Sequence, residues 1–194
     1  MAEIHDRVRQ NYKNILLNTE KSLVTSTNDS ETVSSSVGYP QEELAIVPAE
    51  CNLGLGCGNP LIAADLQPGE VVIDLGAGPG LDCFLSGVKV GRRGRAIGVD
   101  MTPEMVSTAR ETAKRHKIRN VEFRLGEIEN LPAADNCADV CISNCVINMS
   151  PSKPRVYREI FRVLKPGGRI SICDIVIMKE LPKDMQDNPE MHSC

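Results

Sequence analysis

The stretch VVIDLGAGPG, residues 71–80, decides the fold of this chain. Its first half, VVIDL, is a short apolar run of the kind shown by a strand that is buried on both faces of a parallel sheet. Its second half, GAGPG, is a glycine-rich turn, which lets the backbone approach a bound molecule closely. A strand that runs into such a turn and then into a helix predicts the ligand-binding edge of an α/β fold.

The chain beyond this stretch alternates between strand and helix patterns. Thr102 and Pro103 begin one amphipathic helix, and a second, residues 153–164, stops at the sequence KPGG. Further strands are predicted at RAIGVD (95–100), VEFRLG (121–126), DVCISN (139–144) and RISICDIVIM (169–178). This alternation predicts an α/β fold, a mostly parallel sheet with helices on both faces.

The N-terminal part of the chain lacks this alternation. Residues 4–17 have the apolar spacing of an amphipathic helix. Residues 18–38 contain six Ser and four Thr with few apolar anchors, which predicts a mobile linker. We therefore divide the chain into a helix and linker (1–38), a segment that carries Cys57 (39–70), the α/β core (71–178) and a tail (179–194).

Composition excludes several classes of function. The net charge of -4 and the pI near 5.5 argue against a general nucleic-acid binder. No apolar run reaches the roughly 18 residues of a membrane helix, and the N-terminus lacks the apolar core of a signal peptide, so we expect a cytoplasmic protein. Cysteines stay reduced there, and the eight cysteines include no CxxC pair, so neither a disulfide framework nor a structural zinc site is expected.

Carboxylates near the glycine turn indicate what the fold binds. A dinucleotide fingerprint needs a glycine at position 81, which is Leu, and Asp74 would repel a diphosphate but attract a cation. Asp100 ends the second strand, where it either binds ribose hydroxyls or caps the next helix. Glu127 either accepts from an adenine amino group or is a solvated loop residue. Together these features point to S-adenosylmethionine, whose amino and sulfonium groups are cationic.

The ordered set DLGAGPG, GVD, GEIENLP, ADVCISN and VLKPGG resembles class I S-adenosylmethionine-dependent methyltransferases over residues 71–176. The resemblance implies the Rossmann-like fold of that class, with the cofactor at the carboxyl edge of the sheet. The cofactor-binding residues that we expect are Asp74, Gly76, Ala77, Gly78, Gly80, Asp100, Met101, Glu127, Ile128 and Asn144.

The methyl acceptor is suggested by SNCVIN, residues 143–148, because the end of the fourth strand should face the methyl group. This stretch lacks the Asn-Pro-Pro-Tyr signature of amino-methylating DNA enzymes. No His lies near it, although oxygen acceptors often need a general base. Paired with LGLGCGNP, residues 53–60, it resembles arsenite S-adenosylmethionine methyltransferases over residues 43–178.

That resemblance implies that trivalent arsenic is held by three cysteine thiolates, Cys57, Cys145 and Cys194, and is methylated in a detoxification reaction. A soft, thiophilic centre selects such ligands. It also implies arsenite or its thiol conjugates as substrates and a thiol reductant as co-substrate. We expect Cys83, Cys141 and Cys173 to be small buried core residues, and no role is assigned to Cys51 or Cys137.

Two departures from the family stand out. Many members carry a cysteine pair near the N-terminus that helps take up the metalloid, whereas this sequence has no Cys before Cys51, so uptake is expected to be altered or absent. Members also continue into a hairpin that covers the fifth strand and into a further C-terminal domain. We therefore expect this chain to be truncated, with RISICDIVIM as an exposed apolar edge.

Other readings remain open at this point. One is a methyltransferase of a small carbon or oxygen nucleophile, such as a quinone precursor, in which the cysteines are structural. Another is a thiol-based metalloid-binding protein without catalysis. An NAD-binding protein is disfavoured by Asp74 and Leu81.

Overall fold

The computed structural model describes residues 2–22, 27–176 and 178–179. Within these residues one five-stranded sheet forms, and every neighbouring pair is parallel, in the order β3-β2-β1-β4-β5. The α/β expectation is confirmed. The strands are β1 (Val71–Leu75), β2 (Arg95–Asp100), β3 (Val121–Leu125), β4 (Ala138–Asn144) and β5 (Leu164–Cys173).

Helices cover both faces of this sheet. They are α1 (Ala2–Ser22), α2 (Thr27–Ser36), α3 (Gln41–Leu44), α4 (Pro60–Ala64), α5 (Leu81–Val90), α6 (Pro103–Arg115) and α7 (Lys153–Val163), with 3-10 turns at Ala49–Cys51 and Ile147–Met149. None of the helices in the described ranges is both long and apolar enough to cross a membrane.

The core consists of two layers, one on each face of the sheet. Alternate residues of a strand point to opposite faces, so Val72 packs with residues of α5 and α6, whereas Ile73 packs with residues of α7. The strands are nearly continuous runs of apolar residues because both faces are covered. Their carboxyl ends are therefore held rigidly at one edge, where the site lies.

The prediction of a mobile linker over 18–38 is wrong. Helix α1 continues to Ser22 and α2 spans Thr27–Ser36, while residues 23–26 lie outside the described part of the chain. The buried Ser34 hydroxyl donates to Asn52 Oδ1 at 2.8 Å, and Val37 packs against the core. A polar helix is fixed here by a buried hydrogen bond, which a search for apolar periodicity does not detect.

The fifth strand differs from its predicted bounds of 169–178. It begins at Leu164, directly after α7, and ends at Cys173, with a register shift opposite Ala138 and Val140. The Lys165 ammonium pairs with Asp139 of β4 at 2.8 Å, and this ion pair supports the pairing of the two strands. The sequence KPGG had predicted only the end of helix α7 at this point. Ile170 in this strand is 48% exposed, and within the described residues no strand pairs with its outer side.

Candidate functional site

A cavity lies at the carboxyl ends of β1, β2 and β4, where ligands of parallel α/β sheets bind. The glycine turn, the end of β2, the β3–β4 loop, the end of β4 and helix α1 line it. Of the expected cofactor-binding residues, eight line the cavity: Asp74, Gly76, Ala77, Gly78, Asp100, Met101, Ile128 and Asn144. The structure thus gathers residues from four separate stretches of sequence around one space.

The glycine turn has a backbone that only glycine tolerates at its first position. Gly76 has φ +70°, and a Cβ built there would lie 2.4 Å from Val146 Cγ2. Gly80, with φ +106°, packs against the ring of Phe123 instead of lining the cavity. The turn therefore sets the distance between the cavity and the loop that carries Cys145.

Asp74 places an unpartnered carboxylate oxygen in the cavity. The residue is 2% exposed, and its Oδ2 has no hydrogen-bond partner. Burial raises the pKa of Asp74 well above its ordinary value, and the neighbouring Asp82 and Asp100 raise it further. An orphaned buried acceptor with two acidic neighbours is costly unless a positive group pairs with it. The Asp74 carboxylate therefore fits a ligand that carries an ammonium group.

Asp100 supports the start of the next helix and also lies at the cavity. Its Oδ2 accepts from the Gly78 N–H at 2.9 Å, and its Oδ1 accepts from the Thr102 N–H at 2.8 Å. It therefore caps α6, where the Thr102 side chain makes no capping bond, and it also lines the cavity. Burial raises the pKa of Asp100, while these backbone bonds oppose that rise.

Glu127 does not lie among the residues that line the cavity, although the adjacent Ile128 does. Its carboxylate pairs with α1, at 3.3 Å from His5 Nδ1 and 3.7 Å from Arg9 Nη2. Glu127 therefore pairs with helix α1 while its side chain stays 43% exposed.

Helix α1 contributes three cavity-lining side chains that sequence reasoning missed, His5, Val8 and Tyr12. His5 Nε2 also lies 3.2 Å from Glu129 Oε1, so the ring bridges two glutamates of the β3–β4 loop. The only sequence signal for α1 was its amphipathic spacing, which predicts a helix but not the surface that it covers.

Asn144 organises the loop that carries Cys57. Its Oδ1 accepts from the Cys57 N–H at 3.0 Å, and its Nδ2 donates to the Gly58 carbonyl at 2.7 Å. The same Nδ2 lies 2.9 Å from the Tyr39 hydroxyl and 3.2 Å from Asp82 Oδ2. The end of β4 therefore holds both the Cys57 loop and the next residue, Cys145.

Tyr39 and Asp82 complete this network, and sequence reasoning missed both. The Tyr39 hydroxyl donates to Asp82 Oδ1 at 2.5 Å. Burial raises the pKa of Asp82 to about 6, against the opposing effect of the hydrogen bonds from Tyr39 and Asn144. Burial and the nearby Asp82 raise the pKa of Tyr39 as well. No motif links these residues, because they meet only in the folded chain.

The Cys145 and Cys57 side chains are close enough to interact, and Cys57 Sγ also lies 3.8 Å from Asn144 Oδ1, so the two predicted ligands are neighbours. Cys145 has φ +59°, an uncommon left-handed conformation for a non-glycine residue, and strain of this kind clusters at functional sites. Burial, then the contact with Cys57 and the charge of Asp174, raise the pKa of Cys145 to about 12. The free protein therefore holds a protonated thiol here, not the thiolate that the resemblance implies for the arsenic-bound state.

The remaining cysteines separate into two groups. Cys83 and Cys141 are buried core residues as predicted, and Cys51 is buried too. Cys173 departs from the prediction, because it is only partly buried and lies beside the Cys57 loop, where a Cβ on Gly58 would lie 2.8 Å from its Sγ. Cys194, the third predicted ligand, lies outside the described residues.

Comparisons with known proteins agree with this geometry. A family model described as a methyltransferase domain matches residues 66–194. The arsenite methyltransferase of Halobacterium salinarum is 52% identical over 157 residues, which is 81% of this chain and 40% of that protein. The human arsenite methyltransferase is 34% identical over 196 residues, 95% of this chain and 51% of that protein.

A solved structure supports the same relationship. The chain matches an arsenic(III) S-adenosylmethionine methyltransferase from Chlamydomonas reinhardtii with a TM-score of 0.64 and 36% identity, over 82% of this chain and 54% of that one. The chain spans 40–56% of the length of the arsenite methyltransferases that it matches.

Proposed function

The chain belongs to the methyltransferase domain family, and we propose that it transfers a methyl group from S-adenosylmethionine to trivalent arsenic held by Cys57 and Cys145. The observation that carries this proposal is the pair of adjacent thiols at the cavity edge, joined through Asn144 and the end of β4. The likeness to arsenite methyltransferases in sequence and in fold supports it.

The cavity suits S-adenosylmethionine, which supplies an electrophilic methyl group on a sulfonium when it is bound. Asp74 would pair with its ammonium group, and the Gly76 and Gly78 backbone would lie against it without side-chain hindrance. Met101 and Ile128 would flank its adenosine part. Helix α1 would exclude water from this space through Val8 and Tyr12.

The protonated state of Cys145 suits arsenite binding. Arsenous acid exchanges each As–O bond for an As–S bond, and the thiol proton leaves with the hydroxide as water. No strong base is needed, so the raised pKa of Cys145 is compatible with the reaction. The bound arsenic keeps a lone pair, and a site that aligns this lone pair with the methyl group supplies catalysis by positioning.

The cavity-lining histidine is already paired with two glutamates, which fits an arsenic acceptor better than an oxygen acceptor that relies on a histidine base. Among the described residues that line the cavity, the one His is His5, which is held between Glu127 and Glu129. A lone pair on arsenic carries no proton to be removed, whereas a hydroxyl acceptor would require a base.

Further parts of the proposal follow from this chemistry. A thiol reductant serves as co-substrate that returns the arsenic and the cysteines to the reduced state, and a cytoplasmic location, where thiols stay reduced, fits this requirement. Detoxification of arsenite is the physiological role that we propose. Cys194 is the third thiol implied by the family resemblance, and the site argued here uses the two described thiols.

The test is a methylation assay with arsenite, S-adenosylmethionine and a thiol reductant, with methylated arsenicals resolved by mass. We expect product with the wild type and at least a hundredfold less with Cys145→Ser, while the affinity for S-adenosylmethionine changes less than twofold. The matched control is Cys137→Ser, which removes a partly buried thiol at the other end of β4 and should retain activity. Equal activity of wild type and Cys145→Ser would reject arsenic held by this thiol and leave a methyltransferase of another acceptor.

A further inference from the structure

We propose that Tyr39 and Asp82 are positioning residues that orient the side-chain amide of Asn144. Through this amide they set the place of the Cys57 loop, residues 52–59, beside Cys145. This inference rests on the proposed function, in which the two cysteines hold arsenic. It assigns a role to two buried polar side chains that lie outside both the glycine turn and SNCVIN.

The Asn144 amide lies directly against the backbone of the Cys57 loop. A Cβ on Gly56 would lie 2.6 Å from Asn144 Nδ2, so a glycine at this position lets the amide approach. The Asn144 Oδ1 accepts from the Cys57 N–H at 3.0 Å, and its Nδ2 donates to the Gly58 carbonyl at 2.7 Å. A half-turn of the amide would set donor against donor and acceptor against acceptor, so the loop docks on one orientation only.

Tyr39 and Asp82 favour that one orientation. The Tyr39 hydroxyl has a single proton, which it donates to Asp82 Oδ1 at 2.5 Å. Its oxygen is therefore left to accept from Asn144 Nδ2 at 2.9 Å, and Asp82 Oδ2 accepts from the same nitrogen at 3.2 Å. These two oxygens would repel the amide oxygen if Asn144 turned, so they keep its nitrogen on their side.

The burial of this network distinguishes positioning from simple packing. Tyr39 is 2% exposed and Asp82 is 7% exposed. A phenylalanine would fill the same space at position 39, whereas a buried hydroxyl and a buried carboxylate cost free energy unless they are hydrogen-bonded. The two groups hydrogen-bond to each other and to Asn144. A buried polar network that is satisfied in one arrangement fixes that arrangement, which here is the one that docks the Cys57 loop.

The network joins the loop to fixed elements of the fold. Tyr39 lies just before α3, Asp82 is in the first turn of α5, and Asn144 ends β4. Residues 52–59 form neither helix nor strand, so they have no regular backbone hydrogen bonds of their own to fix the Cys57 thiol. Its place relative to Cys145 therefore depends on side-chain contacts such as these.

The first test measures how fast iodoacetamide alkylates Cys57 in the reduced protein without arsenic, by peptide mass analysis. Tyr39→Phe keeps the ring and removes the hydroxyl, so the loop should be released and the partly buried Cys57 should react at least threefold faster. Tyr157→Phe, which removes the hydroxyl of an exposed tyrosine on α7, is the matched control and should react at the wild-type rate. An unchanged rate in Tyr39→Phe overturns the inference.

Asp82→Asn separates positioning from stability. One end of the new amide is an N–H₂ group, which must face either the Tyr39 hydroxyl or Asn144 Nδ2 where a carboxylate oxygen accepted before. The network then loses its order, although removal of a buried charge should leave the fold at least as stable in urea. Cys57 should again react at least threefold faster, and a wild-type rate in this variant contradicts the inference.

Binding of phenylarsine oxide, which forms two As–S bonds, connects the inference with the proposed function. Tyr39→Phe should weaken this binding at least fivefold, because the two thiols are no longer held together beforehand. Its affinity for S-adenosylmethionine should change less than threefold, which shows that the cavity is intact. If the variant instead loses affinity for S-adenosylmethionine and binds phenylarsine oxide as wild type does, Tyr39 acts on the cofactor and the inference is overturned, while the proposed function stands. If the wild type does not bind phenylarsine oxide, the proposed function fails, and the alkylation rates still decide the inference.

Discussion

At the scale of single residues, the site is defined by protonated groups in an acidic setting. Reactive cysteines commonly have a lowered pKa beside positive charge. Here Cys145 and Cys173 instead face Asp174, and Cys57 lies near them. Cys145 and Cys173 are therefore slow nucleophiles toward carbon, and under the proposed function the Cys145 thiol instead exchanges with a hydroxide of arsenous acid.

The raised pKa of Cys145 predicts low reactivity toward iodoacetamide. With a pKa of about 12 its thiolate fraction at pH 8 is far below that of an ordinary cysteine, so its alkylation should be at least tenfold slower than that of a cysteine in an unfolded peptide. Replacing its partner, as in Cys57→Ala, should accelerate alkylation of Cys145. Time-resolved peptide mass analysis measures both rates, and a Cys145 that reacts as fast as the peptide would contradict the assigned environment.

The buried Asp82 predicts a dependence of stability on pH. Because its pKa in the folded state is raised to about 6, the folded state holds its proton more tightly than the unfolded state, so the stability from this group is lost as pH rises from about 4 to 6. The difference amounts to about 3 kcal/mol. Asp82→Asn should therefore gain stability relative to wild type across this range, as measured by urea unfolding at several pH values. A difference between the two proteins that stays constant with pH would contradict the prediction.

Residues were predictable from sequence where the chemistry is local. Asp74 and Gly76 follow one strand and belong to one turn, so a single stretch predicted their place at the cavity. Tyr39, Asp82 and Cys173 come from segments that meet only through sheet order and loop packing. A motif or a periodic pattern in the sequence therefore does not predict that these residues lie close together.

At the scale of elements, the glycine turn could be predicted from the sequence, whereas helix α2 could not. The turn was predicted because glycine, which lacks a Cβ, adopts a positive φ without steric cost, and several glycines in a row therefore indicate a tight turn. Helix α2 was missed because its ten residues have few apolar positions, and it is held by Ser34 and by contacts with the segment that precedes Cys57. A Cβ on Gly54 would lie 3.2 Å from Ser30 Cα, so this helix also packs against the segment that leads to Cys57.

Gly76→Ala should destabilise the fold more than Gly78→Ala. Both glycines lie in the same turn and have a positive φ, +70° and +53°, so both alanines bear backbone strain of about 1–2 kcal/mol. At Gly78 nothing lies within 4 Å of the new Cβ, whereas at Gly76 it would collide with Val146, which adds about 1–3 kcal/mol. Thermal or urea unfolding of the pair measures the difference. Equal losses for the two variants would show that the turn does not pack against the Cys145 loop.

Ser34→Ala tests how α2 is anchored. Removing the buried hydroxyl leaves Asn52 Oδ1 with only the Gly54 N–H, at 3.0 Å, and should cost about 1–2 kcal/mol. Ser36→Ala is the control, because its exposed hydroxyl donates only to the Val33 carbonyl, and it should cost less than about 0.5 kcal/mol. Urea unfolding compares the two, and a Ser34 variant as stable as the control would mean that the helix is held by other contacts.

At the scale of the whole molecule, sheet order explains why the site forms. The order β3-β2-β1-β4-β5 reverses direction at β1 and β4, where parallel sheets open a crevice for a ligand. Its carboxyl edge brings Asp74, Asp100, Asn144 and Cys145 around one cavity, and the end of β5 lies beside the end of β4. Sequence alternation predicted this sheet, because strand and helix periods differ, but it could not predict how α1 and the Cys57 loop close over the edge.

The central claim is that arsenic bound to these thiols is the methyl acceptor, and a single-turnover measurement tests it most directly. Arsenite is first bound to the reduced protein, free arsenite is removed, and S-adenosylmethionine with a deuterated methyl group is added. Mass analysis of the arsenic released after denaturation should show one trideuterated methyl group per bound arsenic, and none for Cys145→Ser. Bound arsenic that remains unmethylated while S-adenosylmethionine occupies its site would contradict the account.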